Sequence, residues 1–340
     1  MEFSVVEKAA LQLIRNDLRF ANSAIHIRNG KIDGNYTVNF LPYMGLITDG
    51  IEDWINAYNN THKTVQIPLT FTEEERIFYE QMRSAIKIWN NPYDEIYNKI
   101  YDLYNKSNYY FSSICVPIAK DLHLYNIWGA YIVNHQYCGN TILGNYYLPG
   151  WSYYDPTYGE KLKKISQISG RYVRLFGAES PLTVQSNMLF KNADYGGFIK
   201  SPLGDDFSDR FVLFCILCQI NFVLRCINEY VLDEITTKLR IAYILYYYLL
   251  KIIPEINTKL GYNFILDSRW HSDQFRNAMA HYKLGVALKE EEIIPSDPFM
   301  GLTQKYFNIN YHQMKESIIL LLSQLSDQLT KYLQLNNQTL

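Results

Sequence analysis

One short run in this chain combines residue types that can do chemistry on a phosphodiester. It reads Ser268-Arg269-Trp270-His271-Ser272-Asp273-Gln274-Phe275-Arg276-Asn277-Ala278-Met279-Ala280-His281-Tyr282-Lys283-Leu284-Gly285. A histidine can accept or donate a proton near neutral pH, at a 2′-hydroxyl or at a 5′-leaving oxygen. An arginine can neutralise a pentacoordinate phosphate through two parallel hydrogen bonds. An asparagine can orient the histidine or hold a phosphate oxygen. RNA carries its own nucleophile in the 2′-hydroxyl. Arg276, Asn277 and His281 are therefore the candidate catalytic set, and they require no metal and no cofactor. No acidic cluster with metal-ligand spacing stands elsewhere in the sequence. Arg269, His271, Tyr282 and Lys283 flank the set and are candidate RNA contacts, although ordinary surface roles compete for each.

The elements must bring these side chains together. Gly285 suits a helix C-terminal cap, which places Arg276, Asn277 and His281 in the last turns of a helix. Asn277 and His281, four apart, then share a face. Arg276 and His281, five apart, lie about 140° around the axis at 3.6 residues per turn. Arg276 must then reach around, or meet the histidine of a second subunit. The run belongs to the third of four long apolar-periodic segments, 209–231, 234–254, 268–284 and 311–335. Pro254, Gly261, Gly285, Pro295, Pro298 and Gly301 punctuate them. Four such helices describe an α-helical bundle.

At this point the residues resemble the signature of the HEPN superfamily (higher eukaryotes and prokaryotes nucleotide-binding domains). Its motif is an arginine, a polar residue that is often Asn, a short spacer, then a histidine, near the end of a late core helix of a helical bundle. Arg276-Asn277-Ala278-Met279-Ala280-His281 matches it, and the likeness covers roughly residues 205–335. The resemblance implies a metal-independent endoribonuclease leaving 2′,3′-cyclic phosphate ends, of the kind used as toxins or as abortive-infection and antiviral effectors. It implies a homodimer whose two motifs face one cleft, Arg276 approaching His281 of the other chain, and a possible antitoxin or phage-derived trigger. Some toxin members carry a tyrosine two residues after the histidine, which the antitoxin modifies. Here that position is Lys283, and Tyr282 adjoins the histidine. Two other readings stay open. One is a catalytically inactive HEPN-like module that binds RNA, a nucleotide or a protein partner. The other is a helical interaction protein with a chance motif.

The expected fold class is mainly α, with a HEPN-like bundle at 201–340 after a largely helical sensor, partner or regulatory region at 1–200. Helices are expected over 3–24, 46–58 and 92–105. Thr72-Glu73-Glu74-Glu75 matches a capping box, so another starts near Glu73 and runs to about Trp89. Residues 29–40 read as a turn or small hairpin, 139–160 as a Tyr/Gly/Pro-rich loop, and 177–207 as irregular. Lys161, Lys163, Lys164, Arg171 and Arg174, with Tyr172 and Phe176 interleaved, could track an RNA backbone or form a solvated helix face. The loop 146–158 could be a recognition surface. His312 could face the site or solvent, and Arg19 with His26 could be a second, degenerate motif.

Composition sets the limits. The 340 residues hold 32 Lys+Arg and 34 Asp+Glu, a net charge of −2, which excludes a generally basic polyanion binder but not a local phosphate site. Apolar residues are 48 %, enough for a large core. The 30 tyrosines fit either an AT-rich coding sequence or stacking surfaces. Five cysteines are no disulfide framework. Cys215 and Cys218 have zinc spacing without a second ligand pair, so they read as buried helix residues. Phe211–Leu224 and Ile241–Ile253 fall short of the ~18 apolar residues needed to span a bilayer, and the start of the chain lacks the apolar core of a signal peptide. A cytoplasmic protein without a membrane partner is expected.

Overall fold

A computed structural model describes residues 3–23, 27–28, 31–32, 34–64, 66–68, 72–148, 157–197, 199–204, 206–282, 284–294 and 299–335. The protein is mainly α. In chain order the elements are α1 (Val5–Ser23), β1 (Ile27–Arg28), β2 (Lys31–Ile32), α2 (Gly34–Thr61), α3 (Glu73–Ser84) with a 3-10 extension over Ala85–Asn90, α4 (Tyr93–Ile114), α5 (Pro117–Asp121), β3 (Asn126–Val133), β4 (Gln136–Asn140), α6 (Thr141–Tyr147), α7 (Tyr158–Leu175), β5 (Phe190–Gly196), α8 (Asp209–Asn221) continued by a π-helix over Phe222–Glu229, α9 (Thr236–Leu260), α10 (Asp273–Ala280), α11 (Leu284–Ala287), a 3-10 turn at Glu290–Glu292, α12 (Met300–Phe307) and α13 (Tyr311–Leu333).

Local chemistry explains several of these. The Thr72 hydroxyl accepts from the Glu75 amide while the Glu75 carboxylate accepts from the Thr72 amide, so α3 starts on the expected capping box. α1 repeats apolar residues every three or four positions and buries Ala9, Ala10, Leu13, Ile14 and Leu18. α9 ends on Gly261, whose φ of 69° costs a glycine nothing. From Thr236 to Leu249 every residue of α9 is buried, which makes it the central helix. α1, the 3-10 extension of α3, α10 and α13 all pack on it. The buried apolar side chains form one cluster running from Ala9 to Leu335.

The structure corrects the sequence reading in three places. The bundle segment expected over 268–284 is helical only over the eight residues of α10, followed by the four of α11. Gly285 lies within α11 rather than at a helix end. Residues 126–140 and 190–196 form a three-stranded antiparallel sheet, ordered β4-β3-β5, where no strand was expected. Asn134 and His135 turn the β3–β4 hairpin with φ of 47° and 64°, the left-handed pair of a two-residue hairpin loop. Third, the helix expected over 209–231 is present as α8 and its π-helical continuation, but its apolar stretch is longer than Phe211–Leu224: the two form one 21-residue segment, Asp209–Glu229. It is long and apolar enough to cross a membrane, but 89 % of its most apolar window is buried inside the protein. Its polar residues are paired there: Gln219 accepts from the Trp89 indole, and Asn221 donates to the Tyr137 carbonyl while accepting from the Ser326 hydroxyl. Cys215, Cys218 and Cys226 are buried, and desolvation pushes the Cys215 thiol up to about 12. The hairpin expected near 29–40 is confined to β1 and β2, and α2 begins at Gly34. α4 runs on to Ile114, past the expected end.

Candidate active site

The site is assembled from α9 outward. Three tyrosines of α9 hold the loop that leads into α10. Tyr243 donates to the Trp270 carbonyl at 2.8 Å, Tyr246 to the Asp267 carbonyl at 2.6 Å, and Tyr247 to the Asp273 carboxylate. The Ser272 side chain accepts from the Phe275 amide and starts α10.

The other end of α10 is closed by a buried arginine. Arg240 of α9 donates through Nε to the Met279 carbonyl at 2.7 Å and through a terminal nitrogen to the Ala280 carbonyl at 3.2 Å. A helix leaves its last carbonyls unpaired, and a cation there also meets the negative end of the helix dipole. Arg240 is itself neutralised by Asp17 of α1 and bonded to the Tyr282 hydroxyl at 2.7 Å. Tyr282 donates to Asp17 at 2.6 Å, and Thr237 also donates to Asp17. Four polar groups, one on α1, two on α9 and one just beyond α10, thus satisfy one another inside the core.

The helix therefore stops at Ala280, and His281 takes an extended conformation with φ of −131°. This overturns the expected geometry, in which His281 occupied the same helix as Arg276 and lay about 140° around it. Released from the helix, His281 and Arg276 both line one cavity of about 340 Å³ within the same chain. Asp49, Glu80, Arg83, Lys87 and Tyr248 line it as well.

The polar atoms at this cavity are incompletely paired. His281 Nδ1 is buried without a hydrogen bond, and the Asp53 carboxylate stands 3.6 Å away. His281 Nε2 lies 3.4 Å from a terminal nitrogen of Arg83, whose other terminal nitrogen pairs with Asp49. A guanidinium is donor-only. The ring is thus best accommodated with its proton on Nδ1, toward Asp53, and its lone pair on Nε2. Arg276 Nε is also buried and unpaired. The Arg276 guanidinium lies 5.2 Å and 5.4 Å from the ring centres of Tyr247 and Tyr248, and donates to Asn277 at 2.7 Å. Burial, followed by repulsion from Arg83 and Arg276, holds the Lys87 ammonium below its ordinary pKa. Such an arrangement can accept a proton at Nε2 and can hold an anion among three cations.

Among the sequence candidates, the structure joins Arg276 and His281. Asn277 is exposed and serves Arg276, not His281, so the shared face expected for Asn277 and His281 is not present. Tyr282 is excluded as an RNA contact: it is 1 % exposed and committed to Asp17 and Arg240. Arg269 turns to its own neighbour Asp267. His271 is exposed and stacks on Tyr247 with ring centres 5.2 Å apart. Lys283, His26 and residues 149–156 of the tyrosine-rich loop lie outside the described residues. Tyr172 and Phe176 are buried and cannot stack on bases, whereas Lys163, Arg171 and Arg174 are exposed. His312 is exposed and does not line the cavity. Arg83, Asp53, Asp49 and Lys87 escaped sequence reading, because their approach to the motif is made by tertiary packing alone.

Next to the site, Glu52 of α2 is buried and accepts from Tyr172. Burial, reinforced by the neighbouring Asp49 and Asp53 charges, raises its pKa above 4.5. The folded protein therefore favours the neutral acid. Its contribution is fully present below pH ~4.5 and is lost as pH rises through the elevated folded value. Glu52→Gln keeps the acceptor without the charge. It is expected to raise thermal stability at pH 7, with the gain shrinking toward pH 4 in paired melting curves. A loss of stability at pH 7 would contradict the assignment.

No family model, curated protein or solved structure matches this chain.

Proposed function

We propose that the protein is a metal-independent endoribonuclease with Arg276 and His281 as its catalytic residues. The supporting observation is that both side chains line one cavity, each with a buried nitrogen that has no hydrogen-bond partner. Buried polar groups left unpaired are costly; a bound phosphodiester would pair Arg276 Nε, while His281 Nδ1 faces the Asp53 carboxylate at 3.6 Å and leaves Nε2 toward the substrate. In the proposed step His281 Nε2 takes the proton of a 2′-hydroxyl. The 2′-oxygen bonds to phosphorus, the P–O5′ bond breaks, and the 5′-oxygen leaves with a proton returned from the histidine. Products are a 2′,3′-cyclic phosphate and a 5′-hydroxyl, with no atom gained or lost. Arg276 neutralises the charge that builds on the non-bridging oxygens, and Asn277 orients Arg276.

By resemblance, we propose that this activity serves a toxin or an abortive-infection or antiviral defence effector. The purified protein should cleave total RNA in excess EDTA. Cleavage that requires added metal, or that survives Arg276→Ala and His281→Ala, overturns the mechanism. Growth arrest on expression, relieved by His281→Ala, is the expected cellular counterpart.

A further inference from the structure

The motif carries one arginine and one histidine, yet the cavity holds a second guanidinium that the motif does not contain. Arg83 sits near the end of α3, 198 residues before His281 in sequence. Its carboxylate partner, Asp49, is fixed on the buried face of α2. The ion pair orients the guanidinium fork so that one terminal nitrogen remains directed at His281 Nε2, 3.4 Å away. A phosphate whose 2′-hydroxyl proton reaches Nε2 would sit beside this contact and draw the Arg83 nitrogen onto one of its own oxygens, freeing the Nε2 lone pair. Arg83, Arg276 and Lys87 put three cations on the cavity wall, whereas Glu80 is engaged by Arg76 and Asp49 by Arg83. Lys87 and Arg276 feel the carboxylates of Asp49 and Asp273 respectively, neither of which is an ion-pair contact among the described residues.

Resting on the ribonuclease reading, we infer that Arg83 is a catalytic residue: it contacts the scissile phosphate beside His281, so that one chain, without a partner's motif, completes the site. The substrate is then a phosphodiester held between two guanidinium groups of the same chain, Arg83 from α3 and Arg276 from α10. Arginine suits this role better than lysine, because its planar fork can bond Asp49 and a phosphate oxygen together.

The test compares the wild type with Arg83→Lys and with the double variant Asp49→Asn/Arg83→Gln, which removes the part-buried pair as a unit and leaves neither charge without its partner. Both should keep the wild-type circular dichroism. Cleavage by the double variant should fall about 10²–10³-fold in kcat, with a smaller change in KM. Guanidinium ion at millimolar concentration should restore part of the rate, which a purely structural arginine would not permit. Co-expressed Arg276→Ala and His281→Ala chains should stay inactive together. Wild-type kcat in a folded Arg83 variant overturns the inference. So does activity regained by the mixed chains, which alone decides the matter if both Arg83 variants misfold. A wild type that fails to cleave RNA in EDTA sinks the underlying ribonuclease reading, a result distinguishable from either.

Discussion

Replacing His281 with alanine is expected to lower the rate of RNA cleavage by about 10²–10⁴-fold, the usual contribution of a positioned proton-transfer group. The expectation follows from where the ring sits. His281 is the first residue beyond α10, its side chain 37 % exposed, and its Nε2 faces Arg83 at the cavity. The ring is partly exposed and meets Arg83 at 3.4 Å and Asp53 at 3.6 Å, both long contacts, so its removal is expected to leave the fold nearly untouched. The loss should therefore appear in kcat, with unfolding curves unchanged. Arg276→Ala should cost about 10²–10³-fold through lost charge neutralisation. The double variant should lose little beyond the worse single one, because residues acting on one transition state are not additive. Unchanged cleavage in a folded His281→Ala protein would remove the histidine from the mechanism. Wild-type protein that binds RNA and never cleaves it would favour a silent binding module.

The second large effect is on stability. Arg240→Ala is expected to cost about 3–5 kcal/mol in denaturant unfolding, the range for removing one partner of a buried ion pair. Arg240 is 1 % exposed and serves Asp17, Tyr282 and the carbonyls of Met279 and Ala280. Its loss strands the Asp17 carboxylate in the core and uncaps α10. Because that cap decides where the helix stops and hence where His281 points, cleavage should fall as well. Arg240→Met combined with Asp17→Leu removes both charges and should recover much of the stability without recovering the activity. A cost below about 1 kcal/mol for Arg240→Ala would show that the network is not what closes the helix.

How much was legible in the sequence depended on whether the signal was local. The box at Thr72 marks α3 because both partners of the cap lie three residues apart. The helical character of the core followed from apolar spacing in 209–231, 234–254 and 311–335. The end of α10 did not follow, because its cap is Arg240, 40 residues from Ala280, and not the nearby Gly285. The β3–β4 hairpin was hidden because Asn134-His135 makes its turn where glycine would ordinarily advertise one. Much of the tyrosine excess lies buried: Tyr36, Tyr43, Tyr79, Tyr131, Tyr147 and Tyr172 fill the core, and Tyr243 and Tyr246 pin the loop before α10. Arg276 and His281 could be named from the motif. Their neighbours Arg83 and Asp53 could not, since only the packing of α2 and α3 brings them to the histidine.

The most direct measurement is the chemistry of the cut ends. RNA treated with the purified wild-type protein in excess EDTA should carry 2′,3′-cyclic phosphate and 5′-hydroxyl termini, because the 2′-oxygen is the nucleophile. Termini bearing 3′-hydroxyl and 5′-phosphate, or no cleavage until a divalent metal is supplied, would contradict catalysis by Arg276 and His281.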